Sequence, residues 1–129
     1  MPTIFSKIIA GEVPANIVAE DEQHLAFLDV RPLKRGHTLV IPKREVDYIY
    51  DMADEELAAL HVFAKQVAVK MRKVIPCQRI GVAVIGLEVP HAHVHLVPMD
   101  AIADLDFSKP RVKLTKEEFA ETAASIRDA

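Results

Sequence analysis

Only one cysteine and four glycines occur among the 129 residues, basic side chains do not outnumber acidic ones, and long apolar runs are missing. Each shortage removes a class of protein. A lone Cys77 has no partner for an internal disulfide, which makes a reducing cytoplasm the expected location. So few glycines, with no internal repeat and no low-complexity stretch, exclude a fibrous or linker-rich chain. A net charge of −3 argues against a nucleic-acid-binding surface, where a basic excess is needed to neutralise phosphates. The apolar runs are broken by charge, Pro or His before membrane-spanning length, and residues 1–10 lack the apolar core and cleavage site of a secretory signal. What remains is a globular composition, 50% hydrophobic and 27% charged, long enough for one domain with a substantial core and too short for two.

Against that ordinary background stands the stretch His91-Ala92-His93-Val94-His95-Leu96-Val97. If it is extended, successive side chains alternate between faces, so the three imidazoles form one row opposite Ala92, Val94 and Leu96. Imidazoles titrate near neutrality and need partners for both ring nitrogens, so such a row points to a ligand rather than to a hydrophobic interior. A neutral imidazole is a competent nucleophile toward phosphorus, with its neighbours orienting it and balancing charge. The same spacing also suits zinc, although no Asp, Glu or Cys in the strand completes a set of ligands.

The rest of the chain supplies a frame. A short helix is expected over 4–10, ending at Gly11, and a hairpin over Ile17–Glu20 and His24–Asp29. Arg31–Gly36 reads as a turn before a β-branched strand, His37–Ile41. Leu57, Leu60, Ala64, Val67, Met71 and Val74 recur at three- and four-residue steps, which predicts a long helix over 53–74 with Asp51 as candidate N-cap. Strands are expected at Arg79–Ile85 and His91–Pro98, and Thr115 to Glu118 has capping-box spacing for a last helix reaching about Arg127. Connections too short for crossovers make the three segments Ile17–Glu20, His24–Asp29 and His37–Ile41 parts of one antiparallel sheet. Lys34, Arg35, Lys43 and Arg44 read mainly as solvated turn charges, and His61 is given no role.

The alternating histidines, with Ile4-Phe5-Ser6-Lys7-Ile8-Ile9, Glu12-Val13-Pro14, Leu25-Ala26-Phe27-Leu28-Asp29 and Gly36 to Lys43, strongly resemble the histidine-triad (HIT) family of nucleotide hydrolases and transferases, in particular its nucleoside phosphoramidases. The resemblance implies that residues 1–129 form a single HIT domain, an α+β fold with a five-stranded antiparallel sheet, one long helix and short terminal helices. It further implies a homodimer with a continuous ten-stranded sheet. On this pattern His93 attacks the α-phosphorus of a purine nucleotide substrate, giving a nucleotidyl-histidine that water cleaves. His95 contacts phosphate oxygens and His91 orients the nucleophile. Asp29 accepts the ribose hydroxyls, and Ile4, Phe5, Ile8 and Phe27 form the base pocket. No metal and no cofactor enter this scheme.

The chain departs from the family at three places. Arg44 and Glu45 stand where many members have a further histidine, and apolar Leu87 stands near where a glutamine serves the α-phosphate. Ser6 occupies the position of a zinc-binding cysteine found in some bacterial relatives, so no such zinc is expected. Two alternatives stay open: a nucleotide-binding module with little or no turnover, and a metal-binding protein that uses the triad.

Overall fold

A computed structural model describes residues 2–129. Five strands, β1 (Ile17–Glu20), β2 (His24–Leu28), β3 (Thr38–Pro42), β4 (Arg79–Ala83) and β5 (Val94–Met99), form one antiparallel sheet in the order β1-β2-β3-β5-β4. Three helices accompany it: α1 (Ile4–Ile9), α2 (Asp54–Val74) and α3 (Lys116–Arg127). The expected α+β class with a five-stranded sheet and one long helix is therefore present.

The two-residue period of the strands sorts their side chains. Ala26, Leu28, Val40, Val94 and Leu96 join Leu60, Phe63, Ala64, Val67 and Met71 of α2 and Ala123 and Ile126 of α3 in the main core. Each fully buried Leu, Ile or Val there contributes roughly 1.5–3 kcal/mol. Leu25, Phe27, Leu39 and Ile41, one residue out of phase, form a second cluster with Phe5 of α1. Cross-strand register lines up Phe27, Leu39, His95 and Ala83 as one row from β2 to β4. That row carries apolar surface at one end and an imidazole near the other.

Local chemistry explains the helix ends. Thr3 caps α1: its hydroxyl accepts from the Ser6 N–H (3.1 Å), and the Ser6 hydroxyl accepts from the Thr3 N–H (3.2 Å). For α2 the N-cap is Ala53, not Asp51, which lies in a separate 3₁₀ turn, Ile49–Asp51. Glu56 reaches back to accept the Ala53 N–H (3.3 Å), leaving Asp51 too far upstream to serve the first turn of the helix. Thr115 and Glu118 cap α3 as their spacing predicts. Gly36, at φ +96°, makes the tight turn into β3, and a Cβ there would run into Ile75.

One expectation is corrected. β5 starts at Val94, so His91 and His93 precede the strand and the triad is not a row on one strand face. The backbone of this segment is committed elsewhere: His91 N–H donates to Val89 O (2.8 Å) and Ala92 N–H to Val46 O (2.6 Å). Opposite it β3 ends in Pro42, which has no N–H to extend the ladder. β4 likewise ends at Ala83 rather than Ile85. Among the described residues no helix is long and apolar enough to cross a membrane.

Candidate active site

A cleft of about 290 Å³ opens where α1, the end of β2 and the triad meet. Ile4, Phe5, Ile8, Phe27, Asp29, His93 and His95 all line it, so seven of the eight residues proposed from sequence share one wall. The eighth, His91, lies behind them. It is fully buried, and its ring is locked by an Nε2–H bond to the carbonyl of Pro42 (2.7 Å). Its Nδ1 has no hydrogen-bond partner among the described residues.

Hydrogen bonding assigns the tautomers. The His91 carbonyl can only accept, so His93 Nδ1, at 2.7 Å from it, carries the hydrogen and His93 Nε2 keeps the lone pair. His91 thus orients His93 through its backbone rather than through its ring. Phe5 packs edge-on against His93, with ring centroids 5.0 Å apart, and limits the ring's rotation.

A second chain of bonds runs through His37, for which the sequence reading had no role. The Leu33 N–H donates to His37 Nδ1 (3.0 Å), which puts the remaining hydrogen on Nε2. That Nε2–H donates to His95 Nδ1 (2.9 Å), so in the neutral state His95 presents an N–H at Nε2. The signal available in the sequence was its phase: His37 shares the two-residue period of Leu39 and Ile41, the strand face that also carries His95. Phe107 is the other residue missed. Its ring stands 4.7 Å from that of His95 and 6.1 Å from that of His37, in the segment after β5 that carries no sequence periodicity.

Burial dominates the titration of the site. His37 is held down to about 3, first by desolvation and then by the charges of His95 and Arg111. His95 is lowered to about 4 by burial, with His93 and Arg111 adding to the effect. His91 is lowered by burial too, against the pull of Pro42 O and Glu45. Asp29 moves upward because it is buried, although Oδ1 accepts the Arg31 N–H (2.9 Å) and Arg111 opposes the shift. Burial therefore favours the neutral rings of His37, His91 and His95 beside Asp29.

The departures from the family pattern have definite places. The Ser6 hydroxyl donates to Glu45 (3.3 Å), whereas Arg44 turns away to Glu56 (2.7 and 2.9 Å). Leu87 stands 89% exposed at the rim and offers no donor. Lys34 pairs with Asp104, Arg35 with Glu118 and Lys43 with Glu20, so these turn charges are already occupied. As for a metal, Asp29, His37 and His95 each bring one ligand atom within 4.8 Å of the others. A divalent ion fits that spacing only by displacing the hydrogen shared between His37 and His95.

An uncharacterized HIT-like protein of Methanocaldococcus jannaschii is 41% identical over 100 residues, covering 74% of this chain and 77% of the relative. The adenosine 5′-monophosphoramidase of Schizosaccharomyces pombe is 35% identical over 103 residues, covering 76% and 74%. A zinc-bound histidine triad family protein from Mycobacterium smegmatis has the same fold, with a TM-score of 0.83 and 30% identity over 97% of this chain and 90% of its own. With the HIT domain family matching residues 10–102, which hold the whole triad, His37 and Asp29, the chain belongs to the HIT domain family.

Proposed function

We propose that this protein is a nucleotidyl hydrolase that cleaves purine nucleoside phosphoramidates or related substrates at the α-phosphorus through a nucleotidyl-His93 intermediate. The observation that carries the reading is the bond from His93 Nδ1–H to the His91 carbonyl, because it makes Nε2 the nitrogen that bears the lone pair in the neutral ring and turns it toward the cleft as the nucleophile. The base lies among Phe5, Ile8 and Phe27, and the ribose hydroxyls donate to Asp29. His95 Nε2–H donates to a phosphate oxygen. The phosphate's negative charge raises the proton affinity of the neighbouring imidazoles, so the His37–His95 pair takes up a proton with the substrate. An amine leaving group collects that proton from His95 Nε2 as the P–N bond breaks. Water then attacks phosphorus and its proton passes to His95 Nε2, while the bond from phosphorus to His93 Nε2 breaks with its electron pair returning to the ring. The phosphoramidase activity of the S. pombe relative supports this assignment.

The test is a panel of adenosine and guanosine phosphoramidates assayed with EDTA present, followed by mass spectrometry for a nucleotidyl adduct. Turnover under EDTA also tells against the metal-binding reading. Exposed Leu87, with no donor for the α-phosphate, favours a second reading, a binding module that holds nucleotide without turning it over. AMP binding with no turnover across the panel selects it.

The ribose assignment has its own check. Asp29→Ala is expected to weaken AMP about tenfold or more, the loss of one charge-assisted contact, and to abolish discrimination against 2′-deoxy-AMP, as read by calorimetry. Unchanged affinity rejects the assignment.

A homodimer is proposed as well. β4 is an edge strand, Val82 on it is 55% exposed, and Val62 and Val69 leave apolar surface on α2. Pairing two β4 edges would cover both and extend the sheet to ten strands. Sedimentation at micromolar concentration should give one species of twice the chain mass, and Val82→Lys should return it to monomer.

A further inference from the structure

A second cleft, of about 280 Å³, meets the first at Asp29, His93 and His95 and is bounded on its far side by Arg31, Leu87, Glu88, Phe107 and Arg111. With the nucleoside in the first cleft, this is the space left for the half of the substrate that departs. Arg111 is built into it. Its guanidinium donates to the carbonyls of Arg31 (2.8 Å) and Phe107 (3.3 Å) and lies 5.6 Å from the centre of the Phe107 ring. The Val112 N–H fastens the same segment to Pro32 O (2.9 Å). Both anchors of Arg111 are neutral carbonyls, and among the described residues no carboxylate forms an ion pair with it. Two of its five donor hydrogens are used, so three are left for a ligand. Glu88 stands exposed at the rim, and of the two arginines lining the cleft, Arg31 and Arg111, it is Arg111 whose guanidinium is held in place by two carbonyls and whose charge reaches His95 and His37. It lies beyond residue 102, outside the stretch matched by the family.

We infer that Arg111 is a specificity-determining residue of the leaving-group side, receiving a negatively charged group, phosphate or carboxylate, carried by the departing half of the substrate. This rests on the nucleotidyl-transfer reading above. In the step itself, His93 Nε2 forms a bond to the α-phosphorus while the bond from phosphorus to the bridging atom breaks. The electron pair stays on that atom. A departing phosphate leaves as the anion, whereas an amine takes the proton held by His95. In either case the charge it already carried rests on Arg111.

Two comparisons test this. In calorimetry, α,β-methylene-ADP should bind about tenfold tighter than AMP, the ratio should fall to about one in Arg111→Leu, and Arg111→Lys, which keeps the charge, should recover part of it. In kinetics, the AMP amidate of β-alanine should exceed that of β-alaninamide in kcat/KM if a carboxylate is read, with the same loss in Arg111→Leu. A preference in the first assay alone identifies a phosphate, and in the second a carboxylate. The inference is overturned if neither preference exists while AMP still binds, or if Arg111→Leu leaves the preferences intact. Failure of AMP to bind, with no amidate turned over, instead overturns the nucleotidyl reading on which it stands.

Discussion

Replacing His93 with alanine or asparagine is expected to lower turnover by at least about three orders of magnitude, about 4 kcal/mol of transition-state stabilisation. The effect is this large because the substitution removes the atom that becomes bonded to phosphorus, and no neighbour replaces it. His95 Nδ1 is occupied by His37 (2.9 Å), and the ring of His91 is locked to Pro42 O (2.7 Å). The fold should survive, since the side chain borders the cleft rather than the helix-facing core, and the melting temperature should stay within roughly 5 °C of the parent. AMP should still bind, and the nucleotidyl adduct seen by mass spectrometry in the parent should be absent. His95→Ala should be milder, because it removes a donor and leaves the nucleophile. Equal turnover by His93→Ala and the parent would sink the covalent mechanism.

Acid should destabilise the protein steeply, from about pH 6.5 downward. An unfolded histidine takes up its proton near 6.5. In the fold His37 does so only at about 3 and His95 at about 4, both because burial disfavours the charged ring. A folded-state pKa below the unfolded one means that the unfolded chain binds more protons throughout the interval, so stability is full above about 6.5 and is lost as pH falls toward the folded values. One such group costs about 1.4 kcal/mol per pH unit, and the two together roughly 2.7. Over two units that is comparable to the whole stability of an ordinary domain, about 5–15 kcal/mol. His91, lowered in the same direction, adds to the slope, whereas Asp29, raised by burial, opposes it only in the carboxylate range. Urea midpoints measured between pH 7 and pH 4.5 should show this loss. His37→Phe should be less stable at pH 7, because it strands the Leu33 N–H and His95 Nδ1, yet its stability should fall with a shallower slope by about one proton. A flat profile in the parent would mean that these rings are not held neutral.

Much of this protein was legible without coordinates. The three- and four-residue recurrence from Leu57 to Val74 specified α2, and Thr115 with Glu118 specified the start of α3, because helix periodicity and capping are local properties. The apolar residues Ile4, Phe5, Ile8 and Phe27 were named with Asp29 and His93 on a resemblance, and they line one cleft. Local sequence failed where the partner was distant. Asp51 looked like the cap of α2, but the chain makes a separate 3₁₀ turn there, and Glu56 serves Ala53 instead. His91 looked like a strand residue, but the amides beside it bond Val89 and Val46, and Pro42 cannot continue the ladder.

By itself the sequence determined the three helices, the five strands to within a few residues and the clustering of imidazoles at residues 91–95, since these follow from side-chain period and residue type along the chain. Only the tertiary structure decided which ring nitrogen carries the hydrogen. That choice depends on single carbonyl and amide groups, His91 O for His93 and Leu33 N–H for His37, and on the approach of His37 to His95 from 58 residues away. It decided as well that Phe107 and Arg111, from an irregular segment with no period to read, come back to the triad. Hydrogen-bond partners and burial are properties of contact, and contact between distant residues exists only once the chain has folded.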